Sequence, residues 1–182
     1  METPLSSEPF LLSTSILVSG TVELQACIAR LADCDAIAID TEFMRTDTFF
    51  PILGLIQIFN GKDCWLIDPV SIPNLSPLVD LLTNEEIVKV FHSCSEDIEI
   101  LKHVLNCIPK PLFDTQIAAA FAGYGFSKGY AAIVEVMLGI HVEKGETRSN
   151  WLQRPLSGNQ LGYAALDVIH LLPVYRQLCE VL

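Results

Sequence analysis

The stretch AIAIDTEFMRT, residues 36–46, begins as an apolar run and ends on two acids. Its residues predict a β-strand, in which side chains two apart share one face. Asp40 and Glu42 should therefore project together, on the side of the small residues Ala36 and Ala38. The opposite face carries apolar side chains: Ile37, Ile39 and Phe43. The alternative is a strand end that turns into solvent with two ordinary surface acids, so the pair alone does not establish a site.

The sequence on both sides of this strand predicts a mixed sheet flanked by helices. The strands LGLIQIF and CWLID follow it, and the Asn60-Gly61 pair between them is typical of a hairpin turn. Beyond Pro69, helical segments alternate with the strand VKVFH. Antiparallel strands first and parallel strands later, covered by helices, give an α/β fold. A strand, STSILVSG, and a helix, TVELQACIARLAD, come first; the later helical segments are LSPLVDLLT, SEDIEILKHVL, DTQIAAAFAG, GYAAIVEVMLG and one long segment from Ser157 to Leu182.

The length and composition predict one domain with a large core. The chain has 182 residues, 51% of them hydrophobic and 18% charged, which excludes disorder for most of the chain. We expect residues 1–12 to be a flexible leader and residues 13–182 to form a single domain. The first residues lack the basic start of a secretory signal, and no apolar run reaches the roughly 18 residues that span a bilayer. The sequence thus predicts a cytoplasmic protein without a membrane partner, and it predicts no oligomeric state.

The net charge and the cysteine spacing limit the kinds of ligand and cross-link that this chain can have. The formal net charge is −11, which argues against a general polyanion binder, because nonspecific affinity for nucleic acid comes from Lys and Arg that neutralise phosphates. An anionic substrate would have to meet a local group of cations or bound divalent metals. The six cysteines are scattered singly, without zinc-site spacing, which favours free thiols over three disulfides.

Helical phase separates one acid from its neighbours in SEDIEILKHVL. At 100° per residue, Asp97 falls on the apolar arc of this helix, whereas Glu96 and Glu99 fall outside it. The apolar arc consists of Ile98, Ile100, Leu101, Val104 and Leu105. An inward acid is costly unless it is paired or bound to a metal. The alternative is an N-terminal acid that the helix dipole stabilises.

A second inward acid is predicted near the end of the chain, in YAALDV. Tyr163 and Asp167 are four residues apart and so lie on one helix face. That face continues through apolar side chains: Leu171, Val174 and Leu178. A structural hydrogen bond between the phenol and the carboxylate is the alternative interpretation.

Four inward acids at one place predict bound cations. Two unit charges ~4 Å apart repel by about 4 kcal/mol at an effective dielectric of 20, so clustered carboxylates need protons or metals. An all-oxygen ligand set favours Mg²⁺ or Mn²⁺ over zinc. Two such ions ~3.5–4 Å apart form the arrangement used for in-line displacement at phosphorus.

Residues 36–176 resemble the ribonuclease D branch of the DEDD superfamily of 3′-5′ exonucleases, which has a ribonuclease H-like fold. The similar motifs, in the order expected, are DTEF with FFPILGLIQI, then HSCSEDIEIL, LFDTQIAAAF, RSNWLQRPLS and YAALDV. The resemblance implies that two divalent cations, Mg²⁺ or Mn²⁺, are held by four acids: Asp40, Glu42, Asp97 and Asp167. It also makes Tyr163 the residue of the tyrosine subtype, which helps to orient the attacking water.

The resemblance implies a metal-dependent 3′-5′ exoribonuclease that releases nucleoside 5′-monophosphates from a single-stranded RNA 3′ end, with tRNA precursors or other structured RNA as substrates. An exonuclease for DNA and a nucleic-acid-binding module without catalysis are the alternatives. Members of the family usually carry C-terminal helical modules of the HRDC type, and we expect no such module in this chain.

The sequence also suggests residues that contact the substrate strand. Cations can meet phosphates and an aromatic ring can stack on a base; the candidates are Arg45, Lys128, Arg148, Arg154 and Trp151. Gln57 either touches the terminal nucleotide or satisfies a backbone group. His92 either binds substrate or is a hydrogen-bonded core residue, and Asp114 either supports the site or caps the helix that follows it.

Overall fold

The computed structural model of the protein describes residues 15–45, 48–143, 145 and 149–182, and a six-stranded sheet forms its centre. The strands are β1 (Ser15–Val18), β2 (Ala36–Met44), β3 (Ile52–Phe59), β4 (Cys64–Ile67), β5 (Val88–Phe91) and β6 (Leu112–Asp114). The helices are α1 (Thr21–Leu31), α2 (Pro77–Thr83), α3 (Ser95–Leu105), α4 (Thr115–Phe121), α5 (Tyr130–Leu138), α6 (Gly158–Ile169) and α7 (Leu171–Val181).

The order of strands across the sheet is β1-β4-β3-β2-β5-β6. Strands β2, β3 and β4 form an antiparallel meander, while β5 and β6 add in parallel beside β2, and β1 pairs in parallel with β4. This confirms the predicted mixed sheet flanked by helices. Strand β6 was not predicted, because its three residues are too few to carry an alternating pattern.

The two faces of β2 lie in different parts of the core, as its alternation predicts. Ile37 and Ile39 pack with apolar side chains of α1, α2 and α3 on one face of the sheet. Ala36 and Ala38 face the other side, where α6 covers the strand with Ala164, Ala165 and Val168. Small side chains on both the strand and α6 let the helix approach the sheet closely. That approach determines where the polar residues of α6 lie.

The C-terminal segment is two helices, which corrects the prediction of one long helical segment. The backbone breaks at His170, which ends α6 and precedes α7. Pro173 lies in the first turn of α7 and has no N–H to donate, so a continuous ladder of helical hydrogen bonds is not available there. Leu171 therefore packs near α6, whereas Val174 and Leu178 join a separate cluster with α4 and α5.

Several other expectations from the sequence have a plain outcome. The expected leader, residues 1–12, lies outside the described residues. Cys27, Cys34, Cys64, Cys94, Cys107 and Cys179 are all free thiols. In the part of the chain that the structure describes, no helix combines the length and the apolar character needed to cross a membrane.

Candidate active site

The C-terminal half of β2 is free of β5, because the pairing of these two strands ends at Ala38. Strand β5 pairs with β2 only from Ala36 to Ala38. Asp40 and Glu42 lie beyond that pairing, and the β2–β3 register shifts immediately after Glu42. Such irregularities bend a strand and are frequent beside functional sites. The sheet thus leaves room next to these two acids for residues from the helices.

Helix α6 brings a third carboxylate to this place. Its N-terminus is fixed by a capping box, in which Ser157 and Gln160 each bond to the other's backbone N–H. The helix then packs over β2, β3 and β4. As a result, oxygens of Asp40, Glu42 and Asp167 all lie within 4.8 Å of one another. Asp40 and Glu42 come from one strand, β2, whereas Asp167 comes from α6, which lies far along the chain.

The fourth predicted acid, Asp97, stands beside this group but outside the 4.8 Å set. It lies in the first turn of α3 and is only 6% exposed. Its Oδ1 accepts a hydrogen bond of 2.5 Å from the hydroxyl of Thr41, which lies between Asp40 and Glu42 in the sequence of β2 and points to the opposite face of that strand. Thr41 was not among the site residues predicted from the sequence. A hydroxyl between two acids, on an otherwise apolar strand face, was the available signal.

The acids share an environment that resists ionisation. Burial, reinforced by the charges of Asp97, Asp167 and Glu42, raises the pKa of Asp40 well above its usual value. Burial and the neighbouring carboxylates likewise raise the pKa of Glu42 to about 8. Burial raises the pKa of Asp167 to about 7 and that of Asp97 to about 6, although hydrogen bonds from Tyr163 and Thr41 oppose these two shifts. The cluster therefore holds protons at neutral pH unless cations replace them.

The donor set fits hard divalent cations. Every group is a carboxylate, and oxygens of three of them converge within 4.8 Å. Carboxylate oxygens are preferred ligands of Mg²⁺ and Mn²⁺, and a cation would relieve the repulsion that raises these pKa values.

Tyr163 lies on the same face of α6 as Asp167 and hydrogen-bonds to it. Its ring packs against Trp151, with centroids 6.3 Å apart. On its edge lies Gly145, where an added Cβ would stand 2.5 Å from Cδ2 of Tyr163. Burial and the nearby acids raise the pKa of the Tyr163 phenol, so it stays protonated and can donate a hydrogen bond at neutral pH.

A family model described as 3′-5′ exonuclease matches residues 16–182. The chain belongs to the 3′-5′ exonuclease family. The chain is 47% identical to ribonuclease D of Shewanella sp. (strain ANA-3) over 169 residues, which are 93% of this chain and 44% of that relative. It is 49% identical to ribonuclease D of Escherichia coli (strain K12) over 143 residues, 79% of this chain and 38% of that relative. The chain thus spans less than half the length of these curated relatives.

Solved structures give the same result for the fold. The crystal structure of Escherichia coli RNase D superposes on this chain with a TM-score of 0.88 at 43% identity. The superposition covers 91% of this chain and 44% of the Escherichia coli chain. Brucella melitensis NrnC bound to pGG gives a TM-score of 0.78 at 28% identity, covering 92% of this chain and 81% of that one. The resemblance to ribonuclease D is confirmed, and with it the α/β fold of this exonuclease domain.

Two residues expected to contact the substrate form a structural clamp in this exonuclease domain instead. Trp151 is 2% exposed, and an added Cβ at Gly54 would stand 2.7 Å from its Cβ. Arg154 donates to Asp68 at 2.6 and 2.8 Å, to the carbonyl of Gly54 at 2.7 Å and to that of Trp151 at 2.8 Å. We therefore correct the expectation for both: the Trp151 ring is covered and the Arg154 guanidinium is already paired.

The remaining expected substrate contacts differ in position. Arg45 forms a partly exposed ion pair of 2.8 Å with Glu99. His92 is held at both ring nitrogens, by Thr115 at 2.8 Å and by the carbonyl of Lys128 at 3.0 Å. Burial lowers the pKa of His92, which matches a neutral hydrogen-bonded imidazole. Arg148 lies outside the described residues.

Gln57 has a buried side-chain amide that lacks hydrogen-bond partners among the described residues. It pairs with Asp40 across the β2–β3 ladder, so the two side chains share a face of the sheet. It is fully buried, and neither its Oε1 nor its Nε2 has a hydrogen-bond partner among the described residues. Its position beside a candidate metal ligand supports a role in the site without defining one.

Proposed function

We propose that this exonuclease domain is a metal-dependent 3′-5′ exoribonuclease that releases nucleoside 5′-monophosphates. One observation carries the proposal: oxygens of Asp40, Glu42 and Asp167 converge within 4.8 Å, and the charge of the buried Asp97 acts on Asp40. Such a cluster is unstable in its ionised form without cations, because the carboxylates repel one another. The similarity to ribonuclease D supports the direction and the class of the reaction.

Two divalent cations, Mg²⁺ or Mn²⁺, would be held by four carboxylates: Asp40, Glu42, Asp97 and Asp167. Bound cations supply activation of water and charge stabilisation at a phosphodiester. The protein's part is to hold the carboxylates in one place, where a bound cation would keep them ionised, and to keep the site shaped. Of the two ions, Mg²⁺ tolerates less distortion of its ligand geometry, so activity with each metal separates the two possibilities.

Tyr163 would orient the attacking water, as in the tyrosine subtype. Its phenol is protonated and hydrogen-bonded to Asp167, so its oxygen lies at the edge of the carboxylate group. The ring cannot swing freely, because Trp151 covers one side and Gly145 abuts its edge. A held phenol beside a candidate metal ligand is the arrangement expected of a residue that positions water.

The proposed substrate is the single-stranded 3′ end of RNA, including structured RNA such as tRNA precursors, in the cytoplasm. The Escherichia coli relative is described as an exoribonuclease involved in structured RNA processing. We further propose that residues 13–182 form one catalytic domain. The net charge of −11 predicts modest affinity for long RNA, which leaves recognition to a few cations, and we propose Arg45 and Lys128 among them.

The test is digestion of matched 5′-labelled RNA and DNA oligonucleotides with Mg²⁺, with Mn²⁺ and with EDTA. We expect stepwise shortening of RNA that EDTA stops. Asp40→Asn and Asp167→Asn should abolish it, whereas Asp80→Asn, at an exposed position of α2, should leave it unchanged. Preferred digestion of DNA would favour the alternative substrate. Absence of shortening with either polymer would favour a binding module without catalysis and contradict the proposal.

A further inference from the structure

The turn that leads into α3 is held from outside the helix. Ser93 has a left-handed backbone, with φ at 60°, which is uncommon for a residue with a side chain. Helix α3 has no side-chain hydrogen bond at its N-cap, Cys94. Instead, the backbone N–H groups of Ser93 and Cys94 each donate at 3.0 Å to the carboxylate of Asp114. The start of the helix that carries Asp97 thus depends on a residue 20 positions further along the chain.

Asp114 serves a second segment at the same time. It is the N-cap of α4 and accepts from the N–H groups of Gln116 at 2.8 Å and Ile117 at 3.4 Å. Strands β5 and β6 place it opposite Phe91, at the end of both strands. The Cys94 thiol also bonds to it. Burial alone would raise the pKa of this carboxyl, but the donated hydrogen bonds lower it below its usual value.

Asp97 is therefore fixed from two sides. The Thr41 hydroxyl holds its carboxylate from β2 at 2.5 Å. Asp97 lies three residues after Cys94, whose N–H donates to Asp114. The Cys94 carbonyl in turn accepts a helical hydrogen bond of 2.9 Å from the N–H of Ile98. A shift of the Cys94 turn would move the first turn of α3, because a helix is stiff along its hydrogen-bond ladder.

We propose that Asp114 is a positioning residue for Asp97: it holds the Ser93–Cys94 turn and thereby sets where the Asp97 carboxylate stands relative to Asp40, Glu42 and Asp167. The proposal rests on the proposed function, in which Asp97 helps to bind divalent cations. The competing role is that of a cap for α4 alone.

The geometry lets one substitution separate the two roles. Oδ1 of Asp114 accepts from Ser93, Gln116 and Ile117, whereas Oδ2 accepts from the Cys94 N–H. In Asp114→Asn, one oxygen can still serve the first three donors, but an NH₂ group faces the Cys94 N–H. Asn caps a helix as well as Asp does. The variant thus keeps the cap of α4 and the bond to the Ser93 N–H, and it loses the bond to the Cys94 N–H, from which α3 begins.

The experiment is calorimetric titration of Mg²⁺ and Mn²⁺ into the full chain, with wild type, Asp114→Asn and the charge-matched control Asp80→Asn. Loss of a group that orients a metal ligand typically costs about 10- to 100-fold in metal affinity. We expect at least about a tenfold weakening for Asp114→Asn and none for Asp80→Asn, with folding verified by circular dichroism. Should Asp114→Asn fold poorly, Asp114→Ser keeps a capping hydroxyl that is too short to reach the turn, and the same weakening is expected.

A double-mutant cycle with Asp97→Asn identifies the route of the effect. If Asp114 acts through Asp97, Asp97→Asn with Asp114→Asn should bind metal no more weakly than Asp97→Asn alone. Wild-type affinity in Asp114→Asn, or full additivity in the cycle, would overturn the proposal. Wild-type protein that binds neither metal would instead overturn the proposed function, so the two failures are distinguishable.

Discussion

The Thr41 hydroxyl donates a 2.5 Å hydrogen bond to Asp97, and this contact joins the strand of Asp40 and Glu42 to the first turn of α3. Thr41 is buried and points to the face of β2 opposite the two acids. The bond favours the ionised form of Asp97, since it opposes the upward shift that burial gives its pKa. A single hydroxyl thus links two of the elements that build the candidate site.

Thr41→Val should weaken metal binding while the fold persists. Removing the hydroxyl raises the pKa of Asp97 further and frees its carboxylate to turn. We expect the Mg²⁺ concentration that gives half-maximal activity to rise about tenfold, measured alongside calorimetric affinity. Thr41→Ser keeps the hydroxyl and is the matched control. An unchanged metal requirement in Thr41→Val would show that the contact is structural only.

Tyr163→Phe should reduce the catalytic rate and leave metal affinity intact. The phenol is proposed to orient water, and loss of such a group typically costs about 10²-fold or more. The ring contact with Trp151 survives in Phe, so folding should not change. Single-turnover digestion and calorimetry measure the two effects, with Tyr124→Phe as the control, since Tyr124 packs in the cluster of α4, α5 and α7. Equal losses of rate and metal affinity would make Tyr163 a structural residue.

Without added metal, the protein should lose stability as pH rises from about 5 to 8. Folding raises the pKa of Glu42 from 4.5 to about 8 and that of Asp167 from 3.8 to about 7. Between those values the folded state holds protons that the unfolded chain has released, so the free energy of unfolding falls with increasing pH. Thermal unfolding in EDTA measures this loss of stability, because each kcal/mol of unfolding free energy shifts the melting temperature by about 2–4 °C.

Glu42→Gln should flatten that pH dependence, because it removes one of the titrating groups. Added Mg²⁺ should also counteract the loss of stability at high pH. Its stabilising effect should grow as pH rises, because metal binding displaces protons from the carboxylates. A melting temperature in EDTA that rises across this pH range would contradict the electrostatic account of the cluster.

Arg154→Met should reduce stability and leave the salt dependence of RNA binding unchanged. The Arg154 guanidinium neutralises Asp68, whose side chain is 5% exposed, so its loss strands a buried charge at a cost of about 3 kcal/mol. Lys128→Ala should leave stability unchanged and reduce the slope of RNA affinity against salt concentration, on logarithmic scales, by about one. Urea denaturation and binding titrations at several salt concentrations separate the two. A smaller salt slope in Arg154→Met would restore Arg154 as a phosphate contact.

Gln57→Met should raise the free energy of unfolding of the metal-free protein by about 1 kcal/mol. The amide is fully buried and has no partner among the described residues, and a buried unpaired polar group costs about 1–3 kcal/mol. Met has a similar length and no such cost. Urea denaturation in EDTA measures the change. A lower free energy of unfolding would show that the amide is hydrogen-bonded in solution.

Properties of single elements were predictable from the sequence. The alternation in residues 36–44 placed Asp40 and Glu42 on one face and the large apolar side chains on the other, as the structure has it. Helical phase likewise selected Asp97, which is buried, over the exposed Glu96 and Glu99. These predictions succeed because strand and helix periods depend only on the chain's own neighbours.

Contacts between distant elements were decided by the tertiary structure alone. The clamp of Arg154 on Asp68 spans 86 residues, and the Thr41–Asp97 bond spans 56. No local pattern distinguishes a buried Trp151 from an exposed one, or a paired Arg154 from a free one. The sequence by itself determined which acids point inward; packing determined which of them meet, because their separation depends on how closely α6 and α3 approach the end of β2.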